Sequence, residues 1–429
     1  MKRTSSFLVI FLAAAAASAV PVVDQESVSI VQDGGSDRVR VKYELRGADA
    51  VVTVQVFTNG VDQGGADVWL PLGADRAANA LGGDANVLVA EGWREAAFHP
   101  AKSGPWPEAK QNFRFVVKAW ATNSPPDFMV VDAMGATRTK FYESAEAVPG
   151  GVTNVAYKTR YFLMRRIPAA GVEWVSGEPW FATGTRGYYA SRTVPVPVLL
   201  TSDFYCSVYE MTVLQREYAV DGRSEVKETV PESDLLPASV TYNQMRGAST
   251  DNWVGWPNYG YAVASDSDFA TMRSRTGVQF DFLTSAQWEF ACRAGTGTSL
   301  NNGHNLKSAD RSATADDVAW YRYNTNTSSR AWHQVVGQKA ANAWGLYDMH
   351  GNAAEWTLDI ISDYARLGTS LQVDPVGGTT AHASMPGRCV RGGDAGSSAS
   401  LLSSGMRNSL VPTSPDGGVR LFAPCTAVK

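Results

Sequence analysis

The C-terminal half of this chain is short of regular structure. Between a few helix starts it runs through long stretches rich in Gly, Asn, Ser and Trp, and loops of that length stay ordered only when something other than a strand ladder fixes them. Buried aromatics, a bound ion or a disulfide are the available means. In MTVLQREYAV, Thr212 and Gln215 fit a capping box, with Leu214 and Tyr218 on one face. TSAQWEFACRAG repeats the device with Thr284 and Gln287, ahead of Trp288, Phe290 and Ala291. Between them, SDFATMRSRTG predicts a helix that stops at Gly277.

The N-terminal part is patterned differently. In DRVRVKYEL, residues Val39, Val41, Tyr43 and Leu45 fall on one face of a period-two repeat, and NFRFVVKAW repeats it through Phe113, Phe115 and Val117. AVVTVQVFTNG ends in Asn59-Gly60, which predicts a turn. Several such strands without a helical period predict a small all-β sandwich over 20–135. The loss of alternation and the run Pro149, Gly150, Gly151 predict a linker over 136–156 and a second domain over 157–429. Ahead of both, Lys2 and Arg3, an apolar run from Phe7 to Ala17 and a small-residue ending at Ala19 read as a secretory signal over 1–19. After its cleavage no membrane span is expected, so the protein is expected to be secreted or periplasmic.

With 38 basic and 42 acidic residues, net charge -4, the chain has no overall field to draw it to nucleic acid or anionic lipid. The four cysteines, Cys206, Cys292, Cys389 and Cys425, form no CxxC pair. One or two disulfides are compatible with export, and the sequence does not choose among the three pairings.

FYCSVYEMTVLQREY, FDFLTSAQWEFACRAGTGT, VVGQKAANAWGLYDMHGNAAEW, VRGG and GGVRLF occur in an order and spacing that resembles the formylglycine-generating, or sulfatase-modifying, enzyme family from about Tyr161 to Phe422. The resemblance implies an α+β, C-type-lectin-like fold behind the sandwich. It also implies relatives of diverse activity, among them copper-dependent formylglycine formation and iron-dependent sulfoxide synthesis, so the fold alone does not assign a function.

In that family a copper(I) ion is held by two cysteines that follow the RGG turn, and copper(I) prefers soft thiolates. Counted from Arg391, Gly392 and Gly393, the matching positions are Ser397 and Leu402. Neither binds copper(I), so copper is not expected. Cys389 precedes the turn. An iron site would need converging histidines, but His99, His304, His333, His350 and His382 show no HxxH or HxxxH spacing; His350 is held open because it sits in the DMHGN turn. The resemblance further implies a structural calcium ion at Asp348, Gly351, Ala353 and Glu355, held by two side chains and two carbonyls; without a metal, Asp348 and Glu355 would cap the turn through backbone amides. A second family calcium site, around WYRYNTNTSSR, is too altered to transfer.

Trp174, Trp288, Trp344 and Trp356 are expected to pack the core. Arg391, Arg407 and Arg420 lie near the family's peptide groove and are candidates for ligand binding or for structural ion pairs. Two functions follow as expectations. One is an exported, non-catalytic, calcium-stabilised module that binds a peptide, protein or glycan. The other is an oxidoreductase or protein-modifying enzyme working through an unrecognised site.

Overall fold

The computed structural model describes residues 20–33, 37–61, 65–104, 112–178, 193–247, 262–325, 333–360, 370–376 and 387–425. The leader at 1–19, His382 and part of the altered second calcium region lie outside them.

Alternation builds the N-terminal part. Strand β2 (Val39–Arg46) buries Val39, Val41, Tyr43 and Leu45 and turns the residues between them outward, because successive strand side chains point to opposite faces. It pairs with β1 (Val22–Gln32) and β7 (Gly92–Phe98), and β5 (Leu81–Gly83) adds to β7. A second sheet forms around β3 (Ala50–Val61), which pairs with β4 (Asp67–Pro71), β6 (Val87–Val89) and β8 (Phe113–Ala121). Val41, Tyr43 and Leu45 from one sheet meet Val52, Val54 and Val117 from the other in a shared core. This is the small all-β sandwich expected from the sequence. Asn59-Gly60 does not turn the chain, however. Both lie inside β3, opposite Trp69 and Val68, because pairing with β4 carries the strand on to Val61.

The C-terminal fold is organised by a six-stranded sheet in the order β10-β9-β11-β14-β23-β15. Its members are β9 (Phe128–Asp132), β10 (Lys140–Tyr142), β11 (Tyr161–Ile167), β14 (Phe204–Ser207), β15 (Asp281–Phe282) and β23 (Leu421–Pro424). Smaller sheets join β12 (Val172–Ser176) to β13 (Val196–Leu200) and β19 (Gln372–Val373), and β16 (Ala319–Trp320) to β17 (His350–Gly351). A further sheet holds β18 (Ala354–Ile360), β20 (Arg388–Arg391), β21 (Asn408–Leu410) and β22 (Gly417–Gly418). The capping boxes at Thr212 and Thr284 form as read, a third forms at Thr241 with Gln244, and the helix Asp268–Thr276 ends at Gly277 with φ +73°. All four cysteines are buried free thiols, and burial pushes Cys206 and Cys292 up to about 12.

The domain boundary falls earlier than the expected one. Strand β9, assigned to the sandwich by a boundary at 135, pairs with β11 from Tyr161↔Asp132 to Arg165↔Phe128. The expected linker at 136–156 contains β10, and Phe141 and Val148 are buried in the main core. The physical reason is composition: FMVV offers four consecutive apolar residues, which suits a strand covered on both faces rather than a half-exposed one.

Sandwich and C-terminal fold are joined through Glu143. Its carboxylate accepts from Thr53 Oγ1 at 2.6 Å, Gln55 Nε2 at 3.2 Å and Lys118 Nζ at 2.6 Å. Replacing Glu143 by Ala leaves three sandwich donors without their acceptor. The expected loss is about 1–3 kcal/mol of unfolding free energy, read from urea denaturation; an unchanged midpoint would show that Glu143 does not fasten the sandwich.

Candidate functional site

The site is framed by the buried helix Ser285–Arg293. Its start is set by Thr284 Oγ1, which accepts from the Gln287 amide, and every residue in it is buried. On this helix Glu289 is fully buried and accepts from Arg293 Nε at 2.9 Å, Arg391 Nη2 at 2.5 Å, Ser176 Oγ at 2.9 Å and the Gly177 amide at 2.7 Å, with Arg407 at 3.5 Å. Burial works against its charge, but Arg293, Arg391, Arg407 and the Gly177 N–H hold the carboxyl down at about 2. Arg391 also stacks over Trp288, 5.1 Å from the ring centre. Arg391 and Arg407, candidates for a ligand groove or for ion pairs, engage Glu289 with side chains 0% and 1% exposed, and Arg391 also lines the cleft above.

Above this cluster lies a cleft of about 720 Å³. The turn Gly392-Gly393 forms one wall, with φ of +87° and +70°, and a Cβ on Gly393 would sit 2.9 Å from the Leu401 carbonyl oxygen. Only glycine fits that turn without strain. His333, Asp394, Ser397, Asn408 and Asp416 supply polar lining. Ser397 Oγ donates to Asp394 Oδ1 at 2.9 Å and accepts from the Asp394 amide at 3.0 Å. Leu402 is fully buried in a core with Leu300, Tyr321 and Ala399. Ser397 and Leu402, expected from the resemblance at the copper-ligand positions, thus lie on the cleft and beneath it respectively. Neither Cys389 nor Cys292 lines the cleft: Cys389 lies against Ser285 Oγ, and Cys292 lies between Met349 O and His350.

His350 is fully buried and both its ring nitrogens have partners. Its Nδ1 donates to Leu402 O at 2.6 Å, its Nε2 accepts from the Asn301 amide at 3.0 Å, and burial pushes it down to about 4.

The DMHGN turn places Asp348, Gly351 and Asn352 at positive φ, and a Cβ on Gly351 would meet Trp320 O at 2.0 Å. Asp348 Oδ2 accepts from the Gly337 amide at 2.6 Å, while Oδ1 is buried with no partner. Glu355 pairs with Arg420 at 2.7 Å and accepts from Trp288 Nε1, so Arg420 is also a structural cation. Glu210, which sequence reasoning missed, accepts from Asn352 Nδ2 at 2.7 Å and from the Ala353 amide at 2.9 Å. The signal for it was an acid inside the apolar run FYCSVYEM. Burial, with repulsion from Glu355, pushes Asp348 up to about 6; burial, Asp348 and Glu355 push Glu210 well above its ordinary range. Three buried carboxylates here face one fully buried guanidinium, Arg420. Among the described residues no three His, Cys, Asp or Glu side chains converge as a metal cage, so an ion in this turn would need backbone carbonyls.

A glycine-bound RGG turn, a DMHGN turn and small twisted sheets around a buried helix define the formylglycine-generating-enzyme-like class. The family model described as "Sulfatase-modifying factor enzyme 1-like domain" matches residues 177–423, and the chain belongs to that family. Among solved structures it is similar to Treponema denticola variable protein 1, at 22% identity over 62% of this chain and 95% of that one, with a TM-score of 0.43. It is also similar to PvdO from Pseudomonas aeruginosa, at 20% identity over 61% of this chain and 94% of that one, with a TM-score of 0.44. No curated protein sequence matches the chain.

Glu289 generates a prediction. Its carboxyl sits at about 2 when folded against an ordinary 4.5, so the stability it contributes is fully present above pH 4.5 and is lost as pH falls towards 2, an effect of about 3 kcal/mol. Glu289→Ala leaves three guanidiniums short of their shared anion and costs about 3–5 kcal/mol. Urea denaturation between pH 3 and 7 should show the variant less stable at neutral pH and less sensitive to acid; an acid dependence equal to wild type would contradict this.

Proposed function

We propose that this is an exported, non-catalytic binding module of the family, stabilised by calcium, whose cleft takes a peptide, protein segment or glycan. The observation that carries the reading is the pairing of Ser397 with Asp394 and the burial of Leu402, where copper chemistry needs two thiolates. The cleft itself is present, with His333, Asp394, Ser397, Asn408 and Asp416 as its polar lining. Copper is therefore left out of the mechanism, since a hydroxyl and an aliphatic side chain do not fit it.

Calcium fits better. The unpartnered, buried Asp348 Oδ1 and the excess of carboxylates over guanidinium around it favour a hard cation. Asp348 and Glu355 would supply side-chain oxygens and Gly351 and Ala353 carbonyls. Bound there, the ion would neutralise buried charge and hold the turn that backs the cleft. Export rests on the leader at 1–19, and amino-terminal sequencing of exported protein should begin close to Val20.

Calcium bound to the folded state alone raises stability by mass action, so chelation should lower the melting temperature. Asp348→Ala, which leaves no side-chain oxygen there, should abolish that response, and an undiminished calcium shift in this variant would rule the site out.

The cleft reading predicts no formylglycine formation. Purified protein incubated with copper, reductant, oxygen and a cysteine-containing sulfatase peptide should yield no aldehyde by mass spectrometry. Aldehyde formed with multiple turnovers would instead make the protein a modifying enzyme.

A further inference from the structure

A second cleft, of about 780 Å³, shares no lining residue with the first. It runs between β12 and the end of the Ser285–Arg293 helix. Trp174, Phe290 and Trp344 form its aromatic wall, with ring centres 5.4 and 5.3 Å apart. Trp174 and Trp344, expected in the core, are only partly buried. Val172 and Val175 also line it and remain 39% and 52% exposed.

Two features define what such a cleft accepts. First, β12 is an edge strand among the described residues: within them it pairs with β13 and with no other strand. Val172 and Trp174 project to one face of β12 and Val175 to the other, yet all three line the cleft. The cleft therefore wraps around the strand's outer edge, the side on which a further strand would add to the ladder. Second, among the described residues the lining carries no uncommitted charge. Its one ionisable group, Arg293, donates to Glu289, Thr298 O and Gly177 O. A charged ligand would be desolvated without a partner, and a sugar would find few groups to satisfy its hydroxyls. An extended backbone matches both features, since it pairs with the edge and lays alternate side chains against the aromatic wall.

We propose that the open edge of β12 and the Trp174–Phe290–Trp344 cleft form a docking site for an extended, uncharged polypeptide segment with apolar side chains, added to β12 as a strand. This site is separate from the RGG cleft and does not depend on what that cleft binds.

The test uses the full chain and two capped probes, acetyl-Val-Thr-Val-Thr-Val-amide and the same peptide with alternate amide nitrogens methylated. Calorimetry should show binding of the first and at least a 10-fold loss with the second, which cannot complete the strand ladder. Hydrogen exchange should slow at 172–176 when the first peptide is bound. Val175→Lys, at an exposed position, should weaken binding at least 10-fold while leaving the melting temperature in place. Equal binding of both peptides, no binding of either, or indifference to Val175→Lys would overturn the proposal. So would concentration-dependent dimerisation without peptide that Val175→Lys abolishes, because the occupant would then be a second copy of this chain.

Discussion

The Glu289 ion cluster is the interaction on which the rest of the C-terminal fold depends. One carboxylate ties together four segments far apart in the chain: β12 through Ser176 and Gly177, its own helix through Arg293, β20 through Arg391, and the turn before β21 through Arg407. A domain with so much irregular backbone cannot rely on ladders, and a buried, fully engaged charge supplies direction and register that apolar packing does not. Such a cluster is tolerant of very little, since each partner removed leaves the others charged in a low-dielectric interior.

A second buried centre has the opposite imbalance. Around the DMHGN turn, Glu210, Asp348 and Glu355 outnumber the one guanidinium of Arg420 that lies fully buried with them, and burial and mutual repulsion drive Asp348 and Glu210 towards their protonated forms. The Glu289 cluster completes itself with protein cations; around the DMHGN turn the described residues leave Asp348 Oδ1 without a partner. The two centres meet at Trp288, whose indole donates to Glu355 and whose ring lies under Arg391. Stability at the turn is thereby coupled to stability beneath the RGG cleft.

Against that scaffold the choice of side chain at 397 and 402 is a local matter. The glycines of the turn, the helix beneath it and the strands beside it set the shape of the cleft, while Ser397 pairs with Asp394 on its wall and Leu402 packs beneath it. Shape and chemistry are separable because backbone turns depend on φ and close approach, whereas a metal depends on the ligand atoms alone.

What the sequence alone determined is local. The capping boxes at Thr212 and Thr284 need partners three residues apart, the sandwich strands need only alternation, and the RGG turn needs glycines in succession. All of these were legible because the interacting groups are near neighbours in the chain. The sheet that β9 joins, the pairing of Arg391 and Arg407 with Glu289, the part played by Glu210 and the half-open Trp174 cleft were decided by the tertiary structure. Arg407 reaches Glu289 across 118 residues, and Asn352 reaches Glu210 across 142. Whether an arginine faces a ligand or a buried carboxylate depends on which distant segment folds against it, and no periodicity or spacing records that choice.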